Sequence, residues 1–245
     1  MRRSLYALLA LAVGGALFLW WPSQDPKKHL QKGGRMEGAV FAPKEGKSPK
    51  KLIIVMHGYG ASAEDLWPIG YEISKTLPEA EVLLPHAFDP CEAGGGGRQW
   101  FKMGNWTLPE WKVQLAQVKK RFEDYLLPLL KERHLTLQDV ALVGFSQGAM
   151  MALHFGLQEG VRAVVSFSGV LVDPDVQKSP SLPAILLVHG DSDSVLRTQY
   201  FFQTQEALRA QQIPFEALLV PNMGHSIDPE SLQKACDFLE KHLTS

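Results

Sequence analysis

Short apolar runs alternate with longer amphipathic segments from about residue 51 to the end of the chain. The short runs are typical of buried strands and lie at residues 52–56, 81–84, 140–145, 163–167, 184–188 and 215–220. Segments with apolar residues at helical spacing lie between them, at residues 65–77, 108–131, 147–157, 198–211 and 229–243. Strands that alternate with helices predict one α/β domain with a mostly parallel central sheet and helices on both faces.

A different pattern occupies the beginning of the chain, where residues 5–21 carry no charge. As a helix this run would be about 25 Å long, the short end of what crosses a bilayer. Arg2 and Arg3 precede it and Trp20 and Trp21 end it, as expected for a membrane segment. The run predicts an N-terminal hydrophobic helix that anchors the protein in a membrane. Two alternatives are a signal cleaved near residues 14–16, giving a secreted or periplasmic protein, and a buried core helix.

These patterns divide the chain into three segments. Residues 1–22 are the signal-anchor or signal segment, residues 23–50 a basic linker with the first strand region, and residues 51–245 the catalytic domain. Basic residues flank the apolar run on both sides, so the side of the membrane stays open. The oligomeric state also stays open.

Composition supports a folded domain and limits its partners. The 245 residues are 45% hydrophobic and 21% charged, which excludes a disordered chain. The net charge of −1 combines a basic first 35 residues with an acidic remainder that has 19 basic and 25 acidic side chains. The acidic body argues against nucleic-acid binding. Cys91 and Cys236 can form a disulfide or remain free thiols, and we expect free thiols.

One motif, Gly144-Phe145-Ser146-Gln147-Gly148, carries the chemical argument. It is a G-x-S-x-G between a predicted strand and a predicted helix, the context in which a sharp turn exposes a nucleophilic serine. The beginning of the following helix directs backbone N–H groups towards the position where an oxyanion would form. We therefore expect Ser146 to be a nucleophile and the backbone of Gln147 to donate to the oxyanion.

A nucleophilic serine needs a histidine base and a carboxylate, and both follow later strands in the chain. Asp191 and Asp193 come directly after the strand at 184–188, and His225 follows the strand at 215–220. The carboxyl ends of parallel strands meet at one edge, where α/β sheets bind ligands. The glycine-rich loop at 57–60 is the candidate for the second oxyanion donor. The residues alone leave the choice between the two aspartates open.

The motifs HGYG (57–60), GFSQG (144–148), HGDSDSV (189–195) and GHSI (224–227) together resemble the phospholipase/carboxylesterase family of α/β-hydrolases. This group includes acyl-protein thioesterases, and the similarity extends over about residues 51–243. The resemblance implies an α/β-hydrolase fold and hydrolysis of carboxylic esters or thioesters through an acyl-enzyme.

The same resemblance implies a role for each site residue. Ser146 would be the nucleophile, His225 the general base and acid, and Asp193, rather than Asp191, the carboxylate. The backbone N–H groups of Tyr59 and Gln147 would form the oxyanion hole. No cofactor and no metal site is expected, and the substrate would be a small-molecule or lipid acyl ester. Alternatives are a peptidase, a lactone or polymer esterase, or a catalytically silent hydrolase-like binding module.

Overall fold

A central sheet organises the part of the chain that the computed structural model describes, namely residues 38–44, 48–105 and 107–244. In this part seven strands form one sheet in the order β1-β3-β2-β6-β7-β8-β9, and β4 and β5 form a separate small hairpin. The strands are β1 (Gly38–Phe41), β2 (Lys51–Met56), β3 (Ala80–Pro85), β4 (Asp89–Pro90), β5 (Arg98–Gln99), β6 (Val140–Phe145), β7 (Ala163–Phe167), β8 (Ala184–Gly190) and β9 (Glu216–Val220). Strand β1 is antiparallel to β3, and all other neighbours in the sheet are parallel.

Five α-helices in the described residues cover the two faces of the sheet. They are α1 (Trp67–Thr76), α2 (Leu108–Arg133), α3 (Gln147–Glu159), α4 (Gln199–Ala210) and α5 (Pro229–Leu243). Neighbouring residues of β2 point to opposite faces, so Ile54 packs in the core under α2, α3 and α4, and Ile53 packs under α1 and α5. The predicted mostly parallel sheet with helices on both faces is confirmed.

The sequence pattern missed the two strands β4 and β5 and gave no bounds for β1. β1 has four residues and lies in the segment expected to hold the first strand region, while β4 and β5 have two residues each. Strands this short do not show the alternation of apolar and polar residues by which a strand is recognised in a sequence. The two cysteines lie on opposite faces of the sheet, Cys91 in one core and Cys236 in the other, and both are free thiols.

The membrane prediction requires a correction. The predicted hydrophobic helix over residues 5–21 lies outside the described residues. Within the described ranges, no helix combines the length and apolar character needed to cross a bilayer. The longest of them, Leu108–Arg133, has 26 residues but carries charged side chains along its length. The prediction that a single N-terminal helix anchors the protein in a membrane is therefore contradicted.

Candidate active site

Ser146 lies at a sharp turn between β6 and α3. Its φ of 54° and ψ of −116° place it in the left-handed half of backbone space, which is uncommon for a residue with a Cβ. Its backbone N–H donates to the carbonyl of Phe167 at the end of β7, at 2.9 Å. The fold holds this strained conformation at the carboxyl edge of the sheet. The serine side chain therefore lies at the turn itself, outside the strand and the helix.

The two glycines of the motif permit the close contacts that this turn needs. A Cβ on Gly144 would lie 2.2 Å from the carbonyl oxygen of Gly148. A Cβ on Gly148 would lie 2.1 Å from the carbonyl oxygen of Met56. Helix α3 therefore begins in direct contact with the end of β2, the strand that leads into the loop expected to hold the second oxyanion donor.

Asp193 and His225 form a hydrogen-bonded pair after strands β8 and β9. His225 Nδ1 lies 2.7 Å from Asp193 Oδ2, and both residues are buried. Asp193 Oδ1 accepts the backbone N–H groups of Val195, at 2.8 Å, and Leu196, at 2.9 Å. Burial alone would raise the pKa of Asp193, but the hydrogen bond and charge of His225 and the two backbone donors outweigh it and lower this pKa. The carboxylate is thus ionised and fixed in orientation.

The second ring nitrogen of His225, Nε2, is the atom that a catalytic triad requires near the Ser146 hydroxyl. Among the described residues, His225 Nε2 is buried and has no hydrogen-bond partner, so the structure does not join it to the Ser146 hydroxyl. The imidazole packs on Phe145, the residue before Ser146, with ring centroids 4.7 Å apart. Catalytic hydrogen bonds are often long without substrate.

Asp191, the alternative carboxylate, makes different contacts. It is exposed, and its Oδ1 accepts the backbone N–H of Asn222 at 2.7 Å and the hydroxyl of Ser192 at 2.8 Å. It therefore joins the loop after β8 to the loop after β9. The carboxylate that contacts His225 is that of Asp193.

The loop that follows β2 lies beside Ser146. A Cβ on Gly58 would be 3.3 Å from the Cβ of Ser146, and Tyr59 is buried directly after it. The loop then pairs with β5, since the N–H of Gly60 donates to the carbonyl of Arg98 and the N–H of Arg98 donates to the carbonyl of Ala61, both at 2.9 Å. The small hairpin of β4 and β5 therefore supports this loop.

His57 has a structural role in the same loop. Its Nε2 accepts the N–H of Ala87 at 3.0 Å, and its Nδ1 lies 2.8 Å from the carbonyl of Gly58. Burial lowers the pKa of His57 to about 4, so the ring is neutral at pH 7 and donates through Nδ1. These two contacts hold the backbone of the loop after β2 and of the segment after β3.

Some contacts of the site are not visible in the sequence. His189 lies against the Asp193 carboxylate, with Nε2 2.7 Å from the carbonyl of Leu196 and 3.4 Å from Asp193 Oδ2. Arg98 donates from its guanidinium to the carbonyls of Ala87 and Phe88. The motif HGDSDSV contains His189 but does not reveal its contact with the Asp193 carboxylate, and Arg98 lies outside the four motifs.

Comparison with known proteins assigns the family. The phospholipase/carboxylesterase family model matches residues 38–243, so the chain belongs to this family. The chain is 28% identical over 196 residues to an esterase, YpfH, from Escherichia coli K12, covering 79% of this chain and 83% of the relative. It is 26% identical over 218 residues to acyl-protein thioesterase 1 homolog 1 from Dictyostelium discoideum, covering 83% of this chain and 95% of that one.

A solved structure gives the same result for the fold. The crystal structure of esterase PE8 superposes with a TM-score of 0.79 and 28% sequence identity, covering 86% of this chain and 100% of that one. The predicted α/β-hydrolase fold is therefore confirmed for the described part of the chain.

Proposed function

We propose that this protein is a serine hydrolase that cleaves carboxylic esters or thioesters through a Ser146–His225–Asp193 triad. The observation that carries the proposal is the buried Asp193–His225 hydrogen bond of 2.7 Å, made by a ring that packs on the residue preceding the strained Ser146. The family, with relatives named esterase and acyl-protein thioesterase, supports the same reaction class.

The reaction begins with attack of the Ser146 hydroxyl oxygen on the carbonyl carbon of the substrate. His225 Nε2, which has no partner among the described residues, accepts the serine proton. Asp193 holds Nδ1–H and stabilises the imidazolium that forms. The imidazolium then donates its proton to the departing alcohol or thiol, which leaves the acyl group on Ser146.

Water completes the cycle by the same route in reverse. His225 removes a proton from water, the hydroxide adds to the acyl carbon, and the serine oxygen leaves and regains its proton. The negative charge on the carbonyl oxygen develops in both steps. The backbone N–H groups of Tyr59 and Gln147 are the donors we assign to it, since Gly58 lies beside Ser146 and α3 begins at Gln147.

The substrate class follows from the same chemistry, a small-molecule or lipid acyl ester or thioester. A panel of p-nitrophenyl esters of increasing acyl length, an acyl thioester and a peptide amide tests it with the wild-type chain and Ser146→Ala. We expect turnover of esters or thioesters by the wild type, and a loss of several orders of magnitude in Ser146→Ala. Cleavage of the peptide alone, or equal turnover by both proteins, would contradict the proposal.

A further inference from the structure

The side chain of Gln147 makes two hydrogen bonds to one segment of backbone. Its Oε1 accepts the N–H of Trp100 at 2.8 Å, and its Nε2 donates to the carbonyl of Phe101 at 2.7 Å. The side chain is fully buried. Since a backbone N–H requires an acceptor and a carbonyl requires a donor, the orientation of this amide is fixed.

The segment that Gln147 holds is connected to the loop after β2. The indole Nε1 of Trp100 donates to the carbonyl of His57 at 2.8 Å. Immediately before Trp100, strand β5 pairs with Gly60 and Ala61 through two backbone hydrogen bonds. The position of residues 57–61 therefore depends on the position of residues 98–101.

The close packing leaves little room for this loop to adjust on its own. A Cβ on Gly97 would lie 1.9 Å from the carbonyl oxygen of Gly60, so the end of the hairpin touches the loop backbone. A buried amide that lost its partners would leave Trp100 N–H and Phe101 C=O unsatisfied, which would favour movement of this segment.

We infer that the Gln147 side chain is a positioning residue that sets the distance between the two oxyanion donors. Its backbone N–H is one proposed donor, and its amide holds the segment that supports the loop with the other, Tyr59. This inference rests on the proposed function. The side chain and the backbone of Gln147 therefore have separate roles. Any residue at 147 except proline could supply the backbone N–H.

Gln147→Met tests the inference in the full-length protein, because methionine keeps the length of the side chain and the backbone N–H but removes both hydrogen bonds. We expect kcat on a p-nitrophenyl ester to fall about 10- to 100-fold with KM within about twofold, because misplaced donors stabilise the transition state less. Affinity for an alkyl trifluoromethyl ketone, which forms a tetrahedral adduct with serine, should fall by a similar factor.

Gln138→Met is the matched control. The Gln138 amide also has two partners, the carbonyl of Gly160 and the hydroxyl of Ser181, but it lies before β6 at the opposite edge of the sheet. We expect its kcat and inhibitor affinity to stay within about twofold of the wild type. An equal loss in both variants would overturn the positioning role, as would a Gln147→Met effect on KM alone.

Trp100→Phe provides a second test of the positioning role, which applies even if Gln147→Met does not fold. It removes the indole hydrogen bond to His57 and keeps an aromatic ring, so we expect a smaller fall in kcat, about 3- to 10-fold, again with KM unchanged. Wild-type kcat in this variant would then overturn the inference. Ser146→Ala separates the positioning role from the triad. Full activity in Ser146→Ala rejects the triad. Normal activity of Gln147→Met together with an inactive Ser146→Ala rejects the positioning role alone.

Discussion

The contacts of Asp193 fix the orientation of one side chain of the proposed triad. One oxygen accepts from His225 and the other accepts two backbone N–H groups, so the carboxylate can adopt only one orientation. The His189 ring also lies against this carboxylate, with Nε2 3.4 Å from Asp193 Oδ2. Because burial lowers the pKa of His189, its ring is neutral at pH 7. A carboxylate held in this way fixes which nitrogen of His225 carries the proton, and hence which nitrogen can act as base.

Asp193→Asn should therefore reduce kcat/KM by about 10³- to 10⁴-fold, because an amide can donate to Nδ1 and favour the wrong imidazole tautomer. The matched variant is Asp191→Asn, two residues away, whose contacts are with Ser192 and Asn222. We expect it to lose less than about tenfold. Steady-state kinetics on one ester measures both, and a larger loss in Asp191→Asn would contradict the assignment.

Motifs in the sequence predicted which residues belong to the candidate site. They did not predict the side-chain contacts that Gln147 makes there. Ser146, Asp193 and His225 each follow a strand, and that position together with the family resemblance led to the proposed triad. The amide of Gln147 contacts residues 46 and 47 positions away, and no local pattern encodes such a pair. His154, whose residue type gives no sign of its environment, is buried on α3.

At the scale of elements, the contact between α3 and the end of β2 determines the geometry of the turn. The first turn of α3 lies against Met56 and His57, because Gly148 has no side chain. The strand-to-helix turn, the loop after β2 and the β4–β5 hairpin therefore form one packed unit around Ser146.

Gly148→Ala tests this unit. Its methyl group would overlap backbone oxygen at 2.1 Å, so α3 must move away from β2. We expect a loss of about 1–3 kcal/mol in the free energy of unfolding and at least a tenfold fall in kcat. Urea denaturation and ester kinetics measure the two effects.

Gly156→Ala in the same helix is the comparison. Its Cβ would meet a methyl group of Val164 rather than backbone, two turns away from Gly148. We expect its effect to appear in stability, with kcat within about twofold of the wild type. Unchanged kcat in Gly148→Ala, or an equal fall in both variants, would contradict the account of the turn.

The longer elements could be predicted because burial imposes a pattern on them. Strand β6 is apolar throughout and was identified with its observed bounds, Val140–Phe145, since both faces of the sheet are covered. The two-residue strands β4 and β5 have no such pattern. Strand β5 also pairs with the loop at Gly60 and Ala61, more than 35 residues earlier in the chain.

For the whole molecule, two buried histidines link stability to pH. His57 and His154 both have a pKa lowered from 6.5 to about 4, mainly by burial. Among the described residues, neither ring nitrogen of His154 has a hydrogen-bond partner, and Asp173, Lys119 and Lys112 are the charges that act on it. In the unfolded chain these rings bind a proton near pH 6.5, whereas in the fold they stay neutral to about pH 4.

The free energy of unfolding should therefore be independent of these groups above pH 6.5 and fall as the pH decreases towards 4. Between pH 6.5 and 5 each histidine should cost about 2 kcal/mol of stability. His154→Leu changes a residue about two turns into α3, the helix that follows Ser146, and should reduce the fall over this range by that amount. Urea denaturation at pH 7 and pH 5 measures it, and an identical pH dependence in wild type and variant would contradict the account.

The proposed reaction depends on Ser146 as a nucleophile that His225 and Asp193 activate. Treatment of the full-length protein with a fluorophosphonate probe, followed by mass spectrometry of its peptides, tests it most directly. We expect one covalent adduct, on Ser146, which is absent in Ser146→Ala and forms far more slowly in Asp193→Asn. An unlabelled wild type, or an adduct that persists in Ser146→Ala, would contradict it.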